Sequence, residues 1–107
     1  MLTTLESLFK LARERKNSPV DGSYTNKLLD DKSLSKAKVL EEINELIEAV
    51  EKDTNKIHEA ADVFYHLAVY LEANNIKIED VMSELDKRKK WAINFINLLD
   101  QDCKEVN

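Results

Sequence analysis

Residues that make turns are almost missing from this chain: one glycine and one proline occur in 107 residues, and both fall in Pro19-Val20-Asp21-Gly22. Tight β-hairpins draw on glycine at their tips, so a strand-based fold is set aside in favour of helices with short polar links. Cysteine is just as scarce. Cys103 stands alone, which rules out a disulfide framework and a cysteine-based zinc site, and fits a reducing cytoplasm. No apolar run approaches the roughly 20 residues of a membrane span, and the N-terminus lacks the basic-then-apolar layout of a signal peptide. A membrane partner is therefore not expected, and the expected location is cytoplasmic. Net charge is -5, and no basic face is available to match a phosphate backbone, so nucleic acid is not an expected partner either.

What remains is helical material. Hydrophobic residues make up 43% of the chain and charged residues 35%, with Leu, Glu, Lys, Ala and Ile dominant, which predicts an all-α protein. A single domain over residues 1–107 is expected, built as a helical bundle of four main helices plus a short one. Thr3-x-x-Glu6 has capping-box spacing and predicts a first helix to about Lys16, with Leu5, Leu8, Phe9 and Ala12 on its inner face. After the Pro-Gly loop, Ser23 is placed to cap a short helix, Tyr24 to Leu29. A third helix runs from about Ser35 to Lys52, with Val39, Leu40, Ile43, Ile47 and Val50 as its predicted core face. Asp53-Thr54-Asn55 turns the chain into a fourth helix ending near Ala73, and Asn74-Asn75 breaks it. A fifth starts near Ile78 and carries an apolar stripe to about Leu99. Links this short imply antiparallel neighbours.

The acids are unevenly placed. Between Glu41 and Asp62 there are eight acids and two lysines, a local balance of -6, so the rest of the chain is +1. Glu41-Glu42-x-x-Glu45 lies on the third helix and Glu59-Ala60-Ala61-Asp62 on the fourth. Residues three or four apart share a helix face, so each helix can aim two carboxylates at one point. A solvated acidic surface is the ordinary account of such a pattern. Asp62 argues against it, because it heads a stretch that is apolar almost all round, where a buried carboxylate needs a partner. Four facing acids repel one another unless a divalent cation lies between them, and oxygen-only ligands suit Mg2+ or Mn2+. His66 lies one turn beyond Asp62, as a core residue or as a group beside the metal. Arg13, Arg15, Lys16 and Lys27 flank the loop with Ser23, Tyr24 and Thr25, either as an ordinary polar loop or as a hydroxyl-and-cation cradle for phosphate.

The order Arg15-Lys16, Gly22-Ser23-Tyr24-Thr25, Lys38-Val39-x-Glu41-Glu42-x-x-Glu45, Glu59-Ala60-Ala61-Asp62-Val63-x-Tyr65-His66 and Asp80-Val81-x-x-Glu84-Leu85-x-x-Arg88 resembles the phosphoribosyl-ATP pyrophosphohydrolase family. That family is the histidine-biosynthesis branch of the MazG-type all-α nucleotide pyrophosphohydrolases. The resemblance covers about residues 5–90; residues 91–107 lie outside it as a C-terminal helical extension and tail. It implies Mg2+-dependent hydrolysis of phosphoribosyl-ATP, a small phosphoribosyl nucleotide, to phosphoribosyl-AMP and pyrophosphate. Glu42, Glu45, Glu59 and Asp62 are then the implied metal ligands, with Mn2+ as an alternative ion. Glu41 is implied at the edge of the catalytic group as a ligand or water-orienting base. Arg15, Ser23, Tyr24, Thr25, Lys38, His66 and Arg88 are implied substrate contacts. Relatives form dimers, so a homodimer or higher homo-oligomer is implied as well; Trp91, Phe95, Ile96 and Leu99 are read as part of that contact. Leu40 and Asn44 depart from the small or apolar residues usual there, but every implied ligand is present. Two rivals remain at this point: a housekeeping pyrophosphohydrolase acting on nucleoside triphosphates, and a non-enzymatic helical interaction module whose acids are solvated.

Overall fold

The computed structural model describes residues 2–89 together with 93, 96 and 97. It has five helices in the order α1 (Thr3–Asn17), α2 (Tyr24–Asp30), α3 (Lys32–Lys52), α4 (Lys56–Ala73) and α5 (Ile78–Lys87), with no strand among the described residues. The all-α expectation holds. The chain divides into two compact units, Met1–Ile76 and Lys77–Asn107, so α1 to α4 form the first and α5 belongs to the second. Among the described residues no helix is long and apolar enough to cross a membrane.

In the first unit α4 is the hub. It packs most extensively on α3 and also touches α1 and α2, which is why its sequence is apolar on nearly every side. The core is small: Ala12, Leu28, Leu29, Val69 and Ala73 cluster together, with Leu34 and Tyr65 packed against them. Alanines at two of those positions, Ala12 and Ala73, let the helices approach closely. The capping box at Thr3 does not form. The N–H of Glu6 donates to the Leu2 carbonyl at 3.2 Å, so Leu2 is the N-cap and Thr3 is already helical.

With glycine confined to one site, other residues take the left-handed turns. Asp53 ends α3 at φ 55°, and Asn75 follows α4 at φ 59°. At the first, Thr54 N–H donates to Ala49 O at 2.9 Å and Asp53 N–H to Val50 O at 3.3 Å. At the second, Ile76 N–H donates to Leu71 O at 2.9 Å and Asn75 N–H to Glu72 O at 3.2 Å. Both are Schellman patterns, in which short polar side chains stand where glycine is usual. Gly22 itself sits at φ +78° with open space around it, so backbone strain, not crowding, opposes a side chain there.

The predicted core face of α3 is reversed. Leu40, Ile43, Ile47 and Val50 are exposed, Ile47 by 50% and Val50 by 57%, while Ser35, Glu42 and Ala49 on the other side are buried. The apolar stripe points away from α4, and the ridge Ser35-Lys38-Glu42-Glu45-Ala49 faces inward. Phe64 and Ile57 on α4 are exposed as well. Between α1 and α4 an open apolar groove of about 590 Å³ is lined chiefly by Leu2, Leu5, Leu8, Leu11, Ala61 and Phe64. In the second unit, Glu79 and Asp80 stand in the first turn of α5, where acids complement the helix dipole. Of the apolar stripe expected as far as Leu99, Val81, Leu85 and Ile96 are described, the last two exposed; Ala92 and Leu99 lie outside the described residues, as do Trp91 and Phe95.

Candidate active site

The site grows from the α3–α4 hairpin. α3 reaches its turn through Ala49, the Asp53-Thr54-Asn55 link reverses the chain, and α4 brings its first two turns back alongside. Glu42 and Glu45 on α3 thereby meet Glu59 on α4, and the three offer carboxylate oxygens within 4.8 Å of one another. His58, Glu59 and Asp62 form a second trio of the same tightness, sharing Glu59 with the first.

Glu42 is the buried acid, 9% exposed. Its Oε2 and Glu59 Oε2 are shielded from solvent without a hydrogen-bond partner. Burial raises the Glu42 carboxyl above its ordinary range, and Glu45 and Asp62 push in the same direction while His66 opposes them. Burial also raises Glu59, helped by Glu45 and Asp62 and opposed by His58. Burial first, and then the nearby acids, disfavour the charged form of both groups, which a positive charge would offset. Orphaned carboxylate oxygens at this spacing fit a hard divalent cation, which takes oxygen ligands.

Asp62 differs from expectation. Its side chain is 37% exposed, so it is not the buried acid of the site; Glu42 is. The reason is that Asp62 shares its side of α4 with His58, Glu59 and His66, while Phe64 lies on another face. Glu41 points outward and pairs with Lys38 Nζ at 3.1 Å, which raises the Lys38 ammonium.

Beside the acids, α2 is fastened to α4 through hydroxyls. His66 Nδ1 lies 2.8 Å from the Asp62 backbone carbonyl, an atom that only accepts, so Nδ1 carries the proton. In the neutral ring Nε2 is then an acceptor, and Tyr24 Oη donates to it at 3.1 Å. Thr25 Oγ1 and Tyr65 Oη are 2.5 Å apart, and the rings of Tyr24 and Tyr65 stack at 6.4 Å. Ser23 Oγ accepts from the Asn26 N–H at 3.2 Å and caps α2 as expected. All three hydroxyls of the Ser-Tyr-Thr segment thus have partners within the chain. Burial raises the Tyr24 phenol, with Lys38 opposing. Arg15 stands in the last turn of α1, where its carbonyl accepts from Asn26 of α2. Arg88 pairs with Glu84 Oε1 at 2.8 Å, one turn back in the second unit.

Three residues escaped the sequence reading. Asn26, buried in α2, donates through Nδ2 to Arg15 O at 2.8 Å and accepts from Val20 N–H at 2.9 Å. It ties the 18–23 loop to the end of α1, and no periodicity marks it. Glu72 is buried on α4 and pairs with Arg13 at 3.1 Å; the argument applied to Asp62, an acid in an apolar helix, would have found it. His58 was visible as the residue one turn before Asp62.

Comparison with known proteins gives the family. The family model for phosphoribosyl-ATP pyrophosphohydrolase matches residues 3–89. A phosphoribosyl-ATP pyrophosphatase of Streptococcus thermophilus is 48% identical over 106 residues, covering 95% of this chain and 96% of that protein. One from Clostridium acetobutylicum is 46% identical over 96 residues, covering 84% of each. A histidine biosynthesis bifunctional protein of Pyrococcus furiosus is 41% identical over 90 residues, 83% of this chain and 43% of that longer protein. With its acid-lined helical hairpin and a family match running over most of its length, the chain belongs to the phosphoribosyl-ATP pyrophosphohydrolase family.

Proposed function

We propose that this chain hydrolyses phosphoribosyl-ATP to phosphoribosyl-AMP and pyrophosphate, the second step of histidine biosynthesis, and that it does so in the cytoplasm with Mg2+. The observation that carries the reading is the pair of orphaned, shielded oxygens on Glu42 and Glu59, with Glu45 within 4.8 Å, in a chain of this family. Glu42, Glu45, Glu59 and Asp62 are the residues that would hold the ion, with Mn2+ as a substitute. When bound, the ion supplies positive charge that offsets the charge on the leaving pyrophosphate. The rest of the work belongs to the chain. Water opens the anhydride between the α and β phosphates, the bridging oxygen departs with pyrophosphate, and a carboxylate takes the proton of the water. By the family resemblance Glu41, although it points outward to Lys38 in this structure, is the candidate for that base or for a further ligand. Lys38, Arg15, His66 and the Ser23-Tyr24-Thr25 segment, the last fastened to α4 through Tyr24 and Thr25, are the candidates for binding phosphate and ribose.

The outward stripe of Leu40, Ile43, Ile47 and Val50 supports a homodimer or higher homo-oligomer, because a contiguous apolar face of this kind is seldom left to water. Pyrophosphate release with Mg2+ tests the activity, with phosphoribosyl-ATP set beside a panel of nucleoside triphosphates. Selective turnover of phosphoribosyl-ATP is the expected result. Equal or better turnover of the panel would move the chain to the housekeeping branch, and no turnover of either would leave an interaction module.

A further inference from the structure

One buried side chain gathers the loop between α1 and α2. Asn26 is 7% exposed, and its amide is used at both ends. Nδ2 donates to the Arg15 carbonyl at 2.8 Å, and Oδ1 accepts from the Val20 N–H at 2.9 Å. Arg15 O is one of the terminal carbonyls that a helix leaves without a partner of its own. Val20 also closes a turn, since the Ser23 N–H donates to its carbonyl at 3.1 Å. Gly22, at φ +78°, occupies the position where a type II turn calls for positive φ. The Asn26 N–H donates in turn to Ser23 Oγ at 3.2 Å. The ordinary account is a buried amide that satisfies stray backbone groups. It leaves out what the tie joins.

At one end of the tie is Arg15, and at the other is the loop that leads into Ser23-Tyr24-Thr25. Both elements are separately fastened to α4. Lys16 Nζ donates to Glu72 O at 2.8 Å and Arg13 pairs with the Glu72 carboxylate at 3.1 Å, while Tyr24 and Thr25 bond His66 and Tyr65. Asn26 therefore closes a circuit from α1 to α4 to α2 and back to α1. We propose that Asn26 is a positioning residue for substrate binding, which sets Arg15 and the Ser23-Tyr24-Thr25 segment in one frame so that both engage the same phosphoribosyl nucleotide. The inference rests on the proposed reading of those residues as phosphate and ribose contacts, and adds to it a buried residue that acts through them. A group ordered before binding adds affinity because its freedom is already lost. Leaving one long side chain to be ordered on binding weakens affinity about two- to tenfold. Substrate and transition state share that loss, so it falls on KM and leaves kcat in place.

The test is steady-state pyrophosphate release from phosphoribosyl-ATP with Mg2+, using full-length wild type, Asn26→Ala, Arg15→Ala and the double variant, with the folded fraction of each read by circular dichroism. Asn26→Ala should raise KM about fivefold and hold kcat per folded chain within about twofold of wild type. In the Arg15→Ala background the same change should raise KM less than about twofold, because residues that act as one unit do not add. Asn26→Asp serves where the alanine variant does not fold. Its carboxylate still accepts from the Val20 N–H but cannot donate to Arg15 O, and the same pattern is expected, vanishing with Arg15→Ala. A KM equal to that of wild type in the folded variant would overturn the proposal. So would a loss of activity that only tracks the folded fraction, and so would effects of the two substitutions on KM that multiply. Arg15→Ala with the KM of wild type removes Arg15 as a substrate contact, and the proposal with it. Absence of turnover in wild type is the separate failure of the proposed function, and it removes both.

Discussion

Changing Glu42 to Gln should make the metal-free protein more stable while depriving it of its cation. Glu42 is 9% exposed, with an orphaned Oε2 and acids for neighbours. A shielded polar atom without a partner costs about 1–3 kcal/mol; the lower end applies because this cluster lies near solvent, which screens it. Gln keeps the shape, loses the charge and can donate to Glu45, so a gain of about 1 kcal/mol is expected at pH 7, or about 4 °C in Tm for a domain of this size. The pH dependence follows from the raised carboxyl. The folded chain binds this proton more tightly than the unfolded one, so the acid favours folding below the ordinary carboxylate pKa. That contribution is lost as pH rises through the raised value. The difference between variant and wild type should therefore be near zero at pH 4 and full at pH 7 to 8. Saturating Mg2+ should reverse the order, since an ion at 100 times its Kd stabilises wild type by about 2.7 kcal/mol. The assay is thermal unfolding by circular dichroism at fixed protein concentration, with chelator or with Mg2+. A variant less stable than wild type in chelator at pH 7, or a difference that does not move with pH, would refute the account of Glu42.

Other outcomes can be checked alongside. Asn26→Ala leaves Val20 N–H and Arg15 O without their partner and should cost about 1–3 kcal/mol, read as a lower urea midpoint; no change would mean water replaces the amide. Tyr24→Phe removes the bond to His66 at a cost of about 1 kcal/mol and should raise KM more than it lowers kcat. Asp62→Ala should abolish turnover in a protein whose circular dichroism is unchanged, and retained turnover would remove Asp62 from the site. Ile47→Lys, on the exposed stripe of α3, should shift the mass measured by light scattering towards one chain, and an unchanged mass would detach the stripe from assembly.

The helices and links were legible because their signals are local. Ser23 caps α2, Asp53 to Asn55 turns the chain, and Asn74-Asn75 stops α4, each through hydrogen bonds within a few residues. The acid pairing was legible because i, i+3 spacing fixes a face. What misled was the direction of α3. An apolar stripe normally marks the side facing the chain's own core, but here Leu40, Ile43, Ile47 and Val50 face out, and the side against α4 carries Ser35, Glu42 and Ala49. Serine and alanine give no hydrophobic signal, and a buried glutamate gives the wrong one. Thr3 misled for a smaller reason: capping-box spacing is met, yet the first helical bond starts from Leu2. The Arg13–Glu72 pair joins residues far apart along the chain, and Asn26 bonds across the loop to the end of α1; helical spacing encodes neither.

α3 is a rigid rod of 21 residues, about 30 Å long, with the acids on one side and the apolar stripe on the other. The two sides cannot drift separately. A substitution at Ile43 or Ile47 that tilts the rod to suit a neighbour also moves Glu42 and Glu45 relative to Glu59. Selection on assembly and selection on cation affinity therefore act on the same few backbone coordinates. Variation along the stripe among relatives should leave a trace in how tightly each holds its ion.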